Sequence, residues 1–343
     1  MKTKESRSFL AIGVFMLLAF VAAFTAVAAP ADLDFYKGKT VTYIVATKTG
    51  GGYDTYARLI AKYLPKYLPG SKVIVKNVPG AGHIIGANTL YQSAPDGLTI
   101  GTFNTGLIYA QIIGQEGIQF DLNKFNWIGK ANSETRVVLV GAKAPFKTFK
   151  DMMDSKEPIK MPSSGVGSQD HNETMILANA LPVKFNPIPG YPGSEAEMAI
   201  LRGEVPAMLG SYTGLSGIIA AKDARPVLQY GSEHGIPGLE NVPHINSIKV
   251  TPAGASMVKM VNAIDMIGRL TAAPPGMPAG RLEVLRNAYK QALTDPELIK
   301  DAKKFNLDLD PAYGSDVQKL VSDGINQSPE NIKLLKAIIK FAE

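Results

Sequence analysis

Apolar residues along this chain fall into two alternating rhythms. Val41-Thr42-Tyr43-Ile44-Val45-Ala46 is a short β-rich run, followed by the glycine triplet Gly50-Gly51-Gly52. Tyr53, Tyr56, Ala57, Ile60, Ala61 and Leu64 then recur at helical spacing up to Pro65. The pattern repeats. Val73-Ile74-Val75 leads through Asn77-Val78-Pro79-Gly80-Ala81-Gly82 into a helical stretch ending near Ser93, and Pro95-Asp96-Gly97 turns the chain into a strand over 98–103. Strand, glycine turn, helix, strand is the signature of βαβ units in a mostly parallel sheet flanked by helices, an α/β fold.

A second series starts at Val137-Val138-Leu139-Val140. Ile159-Lys160-Met161 runs into Ser163-Ser164-Gly165-Val166-Gly167-Ser168, and a helix is predicted from there to about Leu181. Ser194-Glu195-Ala196-Glu197 has the spacing of a capping box, opening a helix that ends at Gly203. Residues 226–230 predict a further strand. From Arg281 onward the pattern is amphipathic helix with breaks at Pro296, Pro311 and Gly314; Ser315 and Ser328 are predicted N-caps, with Pro329 at a first helical position.

The start of the chain reads differently. Lys2, Lys4 and Arg7 precede an uncharged apolar run over 9–27, and Ala26-Val27-Ala28 fits the small-x-small rule of signal peptidase. Basic start, apolar middle and small-residue exit predict an export signal over 1–28, cleaved near Ala28, and hence a periplasmic protein. The run is long enough to span a bilayer, so a retained anchor is the alternative.

Composition narrows the chemistry. With 343 residues, 45% hydrophobic and 19% charged, the chain can bury a core without staples. It has no cysteine, which excludes disulfides, cysteine-ligated metal and a thiol nucleophile. Of the formal charge of +6, the leader supplies +2 (Lys2, Lys4 and Arg7 against Glu5), leaving about +4 on a large body. That is weak support for an anionic partner and argues against nucleic acid. His83, His171, His234 and His244 show no metal-ligand spacing, and no dinucleotide, P-loop or G-x-S-x-G motif occurs, so no metal, cofactor or catalytic residue is expected.

What remains is two glycine-rich turns, each between a strand and a helix. Free amides at a helix N-terminus, with no Cβ to block approach, bind carboxylates; a plain tight turn is the alternative. In Gly50-Gly51-Gly52-Tyr53-Asp54, the aspartate would repel a bound carboxylate. It acts through water, a ligand hydroxyl or a ligand ammonium group, or serves as a cap behind the pocket. Ser164-Gly165-Val166-Gly167-Ser168 adds hydroxyls, and His171 is either a further donor or structural. Tyr191, before the capping box, either closes over a ligand or packs.

Taken in order, these motifs resemble the Bug/TctC family, the extracytoplasmic solute-binding subunits of tripartite tricarboxylate transporters. Gly50-Gly51-Gly52-Tyr53-Asp54-Thr55-Tyr56-Ala57-Arg58 matches its G-G-G-x-D-x-x-A-R signature. Asn77 through Ala87 matches N-x-P-G-A-G-x-x-I-G-A, and Ala94-Pro95-Asp96-Gly97-Leu98-Thr99 its A-P-D-G-[YH]-T turn with Leu98 as a variant. Gly165-Val166-Gly167-Ser168 with His171, Tyr191-Pro192-Gly193 and Thr294-Asp295-Pro296-Glu297 continue the series.

The resemblance implies a two-lobed periplasmic-binding-protein fold of type II, with a ligand cleft between lobes. One lobe would comprise 30–135 with 259–343, the other 136–258, hinged near 129–136 and 249–267. It implies ligand contacts from Gly51, Gly52, Tyr53, Asp54, Asn104 and Thr105 in the first lobe. Ser164, Gly165, Gly167, Ser168, His171, Tyr191 and Gly193 would contribute from the second, with amides and hydroxyls rather than an arginine holding carboxylates. The expected role is capture of a small carboxylate, a di- or tricarboxylate or related organic acid, by a monomer with no chemical step. Delivery would be to the large and small membrane subunits of such a transporter. Alternatives are a sensory role with a membrane histidine kinase, or a periplasmic serine hydrolase using Ser168 and His171.

The chain departs from the family pattern around this cleft. Lys48 and Thr49 stand where prolines are usual, Gly190 is extra, Gly210 or Ser211 replaces a common aspartate, and an aromatic is missing near Met266-Ile267-Gly268. Lys48 is expected to add positive potential for a second carboxylate.

Overall fold

The computed structural model describes residues 30–232 and 236–339. The expected leader with its cleavage point, and His234, lie outside them. The chain opens with α1 (Pro30–Asp34), β1 (Thr40–Val45), α2 (Gly52–Tyr67), β2 (Lys72–Asn77), a 3₁₀ turn (Ala81–His83) and α3 (Ile84–Tyr91). It continues with β3 (Thr99–Thr102), α4 (Gly106–Ile113) and β4 (Asn126–Lys130). A first crossing leads to β5 (Thr135–Gly141), α5 (Phe149–Met153), β6 (Ile159–Ser163), α6 (Gln169–Ala180), β7 (Phe185–Pro189) and α7 (Glu195–Arg202). Then come β8 (Ala207–Ser211), α8 (Tyr212–Ala220), β9 (Ala224–Gly231) and α9 (Pro252–Asp265). The return crossing enters β10 (Leu270–Ala273), followed by α10 (Ala279–Leu293), α11 (Pro296–Lys304), β11 (Ala312–Tyr313), α12 (Ser315–Ile325) and α13 (Pro329–Ile338).

The strands form a six-stranded sheet, β11-β4-β10-β3-β1-β2, a three-stranded sheet, β8-β5-β9, and the pair β6-β7. β1 is parallel to β2 and β3, and β6 to β7. The strands at the crossings, β4, β10, β5 and β9, run antiparallel to their neighbours. The sheets are therefore mixed rather than mostly parallel: a chain that leaves one sheet and returns to it brings the strands flanking its crossings into opposed directions.

Strand alternation sends side chains to both faces. In β1, Val41, Tyr43 and Val45 join an apolar cluster with α2 and α10, whereas Ile44 enters a different one on the opposite face. β5 divides likewise, Val138 and Val140 to one side, Val137 and Leu139 to the other. Sheets covered on both faces read as near-continuous apolar runs. The stripe Tyr56, Ala57, Ile60, Ala61, Leu64 of α2 is buried as its spacing predicts, and the helix carries Pro65 within its last turn. One cluster spans both lobes, joining Leu107 and Ile108 of α4 to Ile176 and Leu177 of α6 and Val261 of α9.

Two local expectations are overturned. Ser194 sits near helical φ/ψ (−83°, 1°) and makes no side-chain cap. A capping serine needs an extended backbone to aim its oxygen at the helix amides. The cap of α12 is Gly314, at φ 48°, and Ser315 is its first helical residue. Ser328 does cap α13, accepting from the Asn331 amide at 3.1 Å, with Pro329 following.

The two crossings are tied to each other. Ala131 donates to the Arg269 carbonyl (2.9 Å), Arg269 to that of Asn132 (3.1 Å), and Glu134 to that of Asp265 (3.1 Å). Gly268 adopts φ +66°, and a Cβ there would collide with the Asn132 carbonyl, so only glycine fits this strap.

Candidate functional site

Loops leaving the C-terminal ends of β1 and β6, one from each lobe, meet over a cavity of about 500 Å³. Its wall includes Lys48, Gly50, Gly51, Gly52 and Tyr53 at the start of α2 and the turn Gly80–His83. From the other lobe come Ser164, Tyr191, Pro192 and Gly193 before α7, and Gly210, Ser211 and Gly214 at the start of α8. Four helix N-termini thus border one cavity, those of α2, α7, α8 and, through Gln169 and Asp170, α6, and their first-turn amides have no intrahelical acceptor. A groove of about 590 Å³ beside α9 is larger, but it is bounded by residues 231–266 alone and has one charged side chain, Lys259. The cleft between lobes is where polar groups converge.

Of the residues expected at the site, Gly51, Gly52, Tyr53, Asn104, Ser164, Tyr191 and Gly193 are on this wall. The other six do not line it. Asp54 is buried and accepts from the Gly50 amide (2.9 Å), Arg58 Nε (2.8 Å) and Asn77 Nδ2 (2.9 Å). Burial opposes its ionisation, yet those hydrogen bonds outweigh burial and hold its pKa below the ordinary carboxylate range. Its carboxylate braces the turn at Gly50 and does not line the cavity. Thr105 is buried just before α4. The Gly165 carbonyl accepts from the Ser168 amide (3.1 Å) and Oγ (2.6 Å), and that of Gly167 from Asn172 Nδ2 (3.1 Å). His171 is buried, which lowers its pKa, and its Nδ1 has no partner. With Ser168 Oγ committed to Gly165, no serine–histidine pair is assembled.

Lys48 lies on the wall, but its charge faces Glu195 at 3.8 Å, from β1–α2 to α7. It links the lobes across the mouth.

The residues that the spacing arguments missed are the charged ones at the floor. Arg269, Glu134 and Arg136 line the cavity and are almost wholly buried. Arg269 Nη2 donates to Glu134 Oε1 (2.7 Å) and Ser211 Oγ (3.2 Å), and its guanidinium lies 3.9 Å over the Tyr53 ring. A Cβ on Gly52 would stand 2.5 Å from Nη2, so the bare glycine lets the guanidinium rest against the first turn of α2. Arg136 Nε is 2.6 Å from Glu173 Oε2 of α6. Burial, then repulsion by Glu173, pushes the Asp265 carboxyl well above its ordinary range. The legible signal was a charge pair, Glu134 and Arg136, at the start of an apolar strand. Tyr53 Oη, Asn104 Oδ1, Glu134 Oε2 and Arg269 Nε, all on wall residues, are buried without a partner. Buried polar atoms left without a partner on a cavity wall are available to a ligand. Among the described residues no group of three or more His, Cys, Asp or Glu is arranged to hold a metal ion.

The family model for the tripartite tricarboxylate transporter family receptor, TctC, matches residues 56–337. The chain belongs to that family. A UPF0065 protein from the tcbD-tcbE intergenic region of Pseudomonas sp. (strain P51) is 25% identical over 279 residues, 80% of each chain. Protein BugT of Bordetella pertussis is 39% identical over 87 residues, 24% of this chain and 26% of BugT. The structure of the periplasmic binding protein BugD superposes with a TM-score of 0.72 at 22% identity, covering 88% of this chain and 98% of that one. MatC from Rhodopseudomonas palustris with bound malate gives 0.70 at 20% identity, covering 88% and 99%. An R. palustris protein with adipate gives 0.73 at 19% identity, covering 88% and 98%. The two-lobed fold is that of these binding proteins, and as a TctC receptor the chain is a periplasmic solute-binding protein.

Proposed function

We propose that this receptor captures a small carboxylate in the cleft, closes over it, and delivers it to the large and small membrane subunits of a tripartite tricarboxylate-type transporter. The observation that carries the reading is the convergence of amide-bearing helix starts from both lobes, α2 against α7 and α8, on one cavity of about 500 Å³. Amides aimed into a cleft that excludes water attract an anion more strongly than they would in bulk solvent. MatC with malate and the adipate-bound relative support an organic acid as the ligand class.

The role of the site follows from the same geometry. Gly51 and Gly52 admit a carboxylate to the start of α2, Asn104 offers a polar contact beside them, Ser164 is held in the opposite wall by Asp170, and Tyr191 stands at the rim. Closure is a hinge at the paired crossings, with ligand shifting the balance toward the closed form by binding it more tightly. The leader directs export and is removed after Ala28, leaving a mature chain in the periplasm.

A thermal-shift screen of the mature protein against organic acids, sugars and amines tests the reading. At a hundredfold excess over its dissociation constant a true ligand stabilises by about 2.7 kcal/mol. Stabilisation by carboxylates is expected; stabilisation by sugars or simple amines instead would refute it.

A further inference from the structure

We propose that the junction of the two crossings binds a proton of its own, shared between the buried carboxyls of Glu173 and Asp265, and that an organic anion in the cleft depends on its presence. The proton site stands on the cluster alone; its tie to the anion rests on the carboxylate reading above.

Three pieces of the chain meet at this junction. α6 brings Gln169 and Glu173, β5 with the residue before it brings Glu134 and Arg136, and the end of α9 with the return crossing brings Asp265 and Arg269. All five charged side chains are almost wholly buried. Gln169 Nε2 donates to both Glu173 Oε1 (2.7 Å) and Asp265 Oδ1 (3.0 Å), which draws the two carboxyls side by side. They stand within hydrogen-bond reach of each other, and two carboxyls make that bond only when one of them carries a proton.

Charge balance agrees. Fully ionised, Glu134, Glu173 and Asp265 would outnumber Arg136 and Arg269 by one. Arg269 is taken by Glu134 (2.7 Å) and Arg136 by Glu173 (2.6 Å), which leaves Asp265 4.0 Å from Arg136 Nε. Asp265 Oδ2 is buried with no partner among the described residues. A buried acid beside a like charge takes up a proton instead of ionising. Two more groups face the pair: Tyr230 of β9, whose hydroxyl donates to Glu173 (2.8 Å), and Tyr109 of α4. Burial raises the pKa of both phenols, so neither brings charge.

Glu134, Arg136 and Gln169 of this cluster also line the cleft. With the proton in place the cluster is neutral. Without it a surplus negative charge lies beneath the floor, in buried surroundings that screen it poorly, and repels an anion above. The same loss sets Glu173 against Asp265 and loosens α6 from the return crossing.

Infrared spectra at neutral pH test the site directly. The wild type should show the carbonyl stretch of a protonated carboxylic acid that is missing from Asp265→Asn, whose amide keeps the shape and donates to Glu173 in place of the proton. A wild type with no such band overturns the proposal whatever the variants do. Urea midpoints across pH give a second reading. Asp265 ordinarily ionises near 3.8. Held protonated above that, the folded chain binds a proton the unfolded chain has released, so stability falls as pH rises, by up to about tenfold in the folding constant per pH unit until the proton leaves. Asp265→Asn should gain on the wild type by that factor, and Glu173→Gln, which also leaves one acid opposite Arg136, should do the same. A gap that does not change with pH in either variant overturns the site. Titration calorimetry with malate and adipate tests the tie to the cleft: affinity should fall as the proton leaves in the wild type and stay level in Asp265→Asn. An equal fall in both severs proton from cleft. If no carboxylate binds at all, the function proposed above fails, while the infrared band and the stability slope still decide the proton.

Discussion

Replacing Arg269 with methionine isolates one buried ion pair at the cleft. Methionine keeps an unbranched stem but removes the guanidinium that meets Glu134 at 2.7 Å, with both side chains almost wholly buried. Breaking a buried pair by removing one partner costs about 3–5 kcal/mol; Arg136, 3.7 Å from the same Glu134 oxygen but shared with Glu173, offsets part of that. The contact over the Tyr53 ring, at 3.9 Å, adds to the loss. Against a typical total stability of about 5–15 kcal/mol, that is a large fraction.

Urea unfolding followed by circular dichroism reads the change as a lower midpoint at unchanged slope. The double variant Glu134→Gln/Arg269→Met provides the control. With the orphaned carboxylate neutralised, it should be about 1–3 kcal/mol more stable than Arg269→Met alone. A single variant that costs below about 1 kcal/mol would refute the account. So would a double variant no more stable than the single, since the penalty would then not come from the stranded Glu134.

Gly268→Ala places a Cβ against the Asn132 carbonyl at φ +66° and should unfasten the strap between crossings. We expect a loss above the roughly 1–2 kcal/mol of left-handed backbone strain alone, seen as a lower melting temperature. Lys48→Ala should weaken ligand binding by no more than about fivefold, because its link to Glu195 is exposed; calorimetry at low and high salt checks this. Asp295 is held down to about 2 from an ordinary 3.8, chiefly by the Lys66 hydrogen bond. Its folded pKa is depressed, so its stabilisation is present above pH 3.8 and lost as pH falls toward 2. Asp295→Asn should therefore flatten the decline of stability with acid in that window, as urea midpoints across pH would record.

The local elements were legible because each follows from short-range physics. The α2 stripe from Tyr53 to Leu64 and the β1 run announce themselves by period, and Gly203 closes α7 in the left-handed conformation expected of a helix-ending glycine. β4, β10 and β11 were not anticipated. They are four or five residues long or shorter, and β11 lies in a stretch whose spacing reads as interrupted helix. Ser194 shows the limit of motif spacing: a capping box states which atoms are available, while backbone angles decide whether they meet.

For the site, the sequence by itself determined that two glycine-rich turns precede helices, since a residue without Cβ dictates its own backbone freedom wherever it falls. Only the tertiary structure decided which groups face the cavity. Asp54 and Ser168 turn back onto neighbouring amides and carbonyls, while Glu134 and Arg269, 135 positions apart, share one buried hydrogen bond. Such a pairing has no local signature. Burial strips water from both charges, and that makes each depend on a partner only the fold can bring.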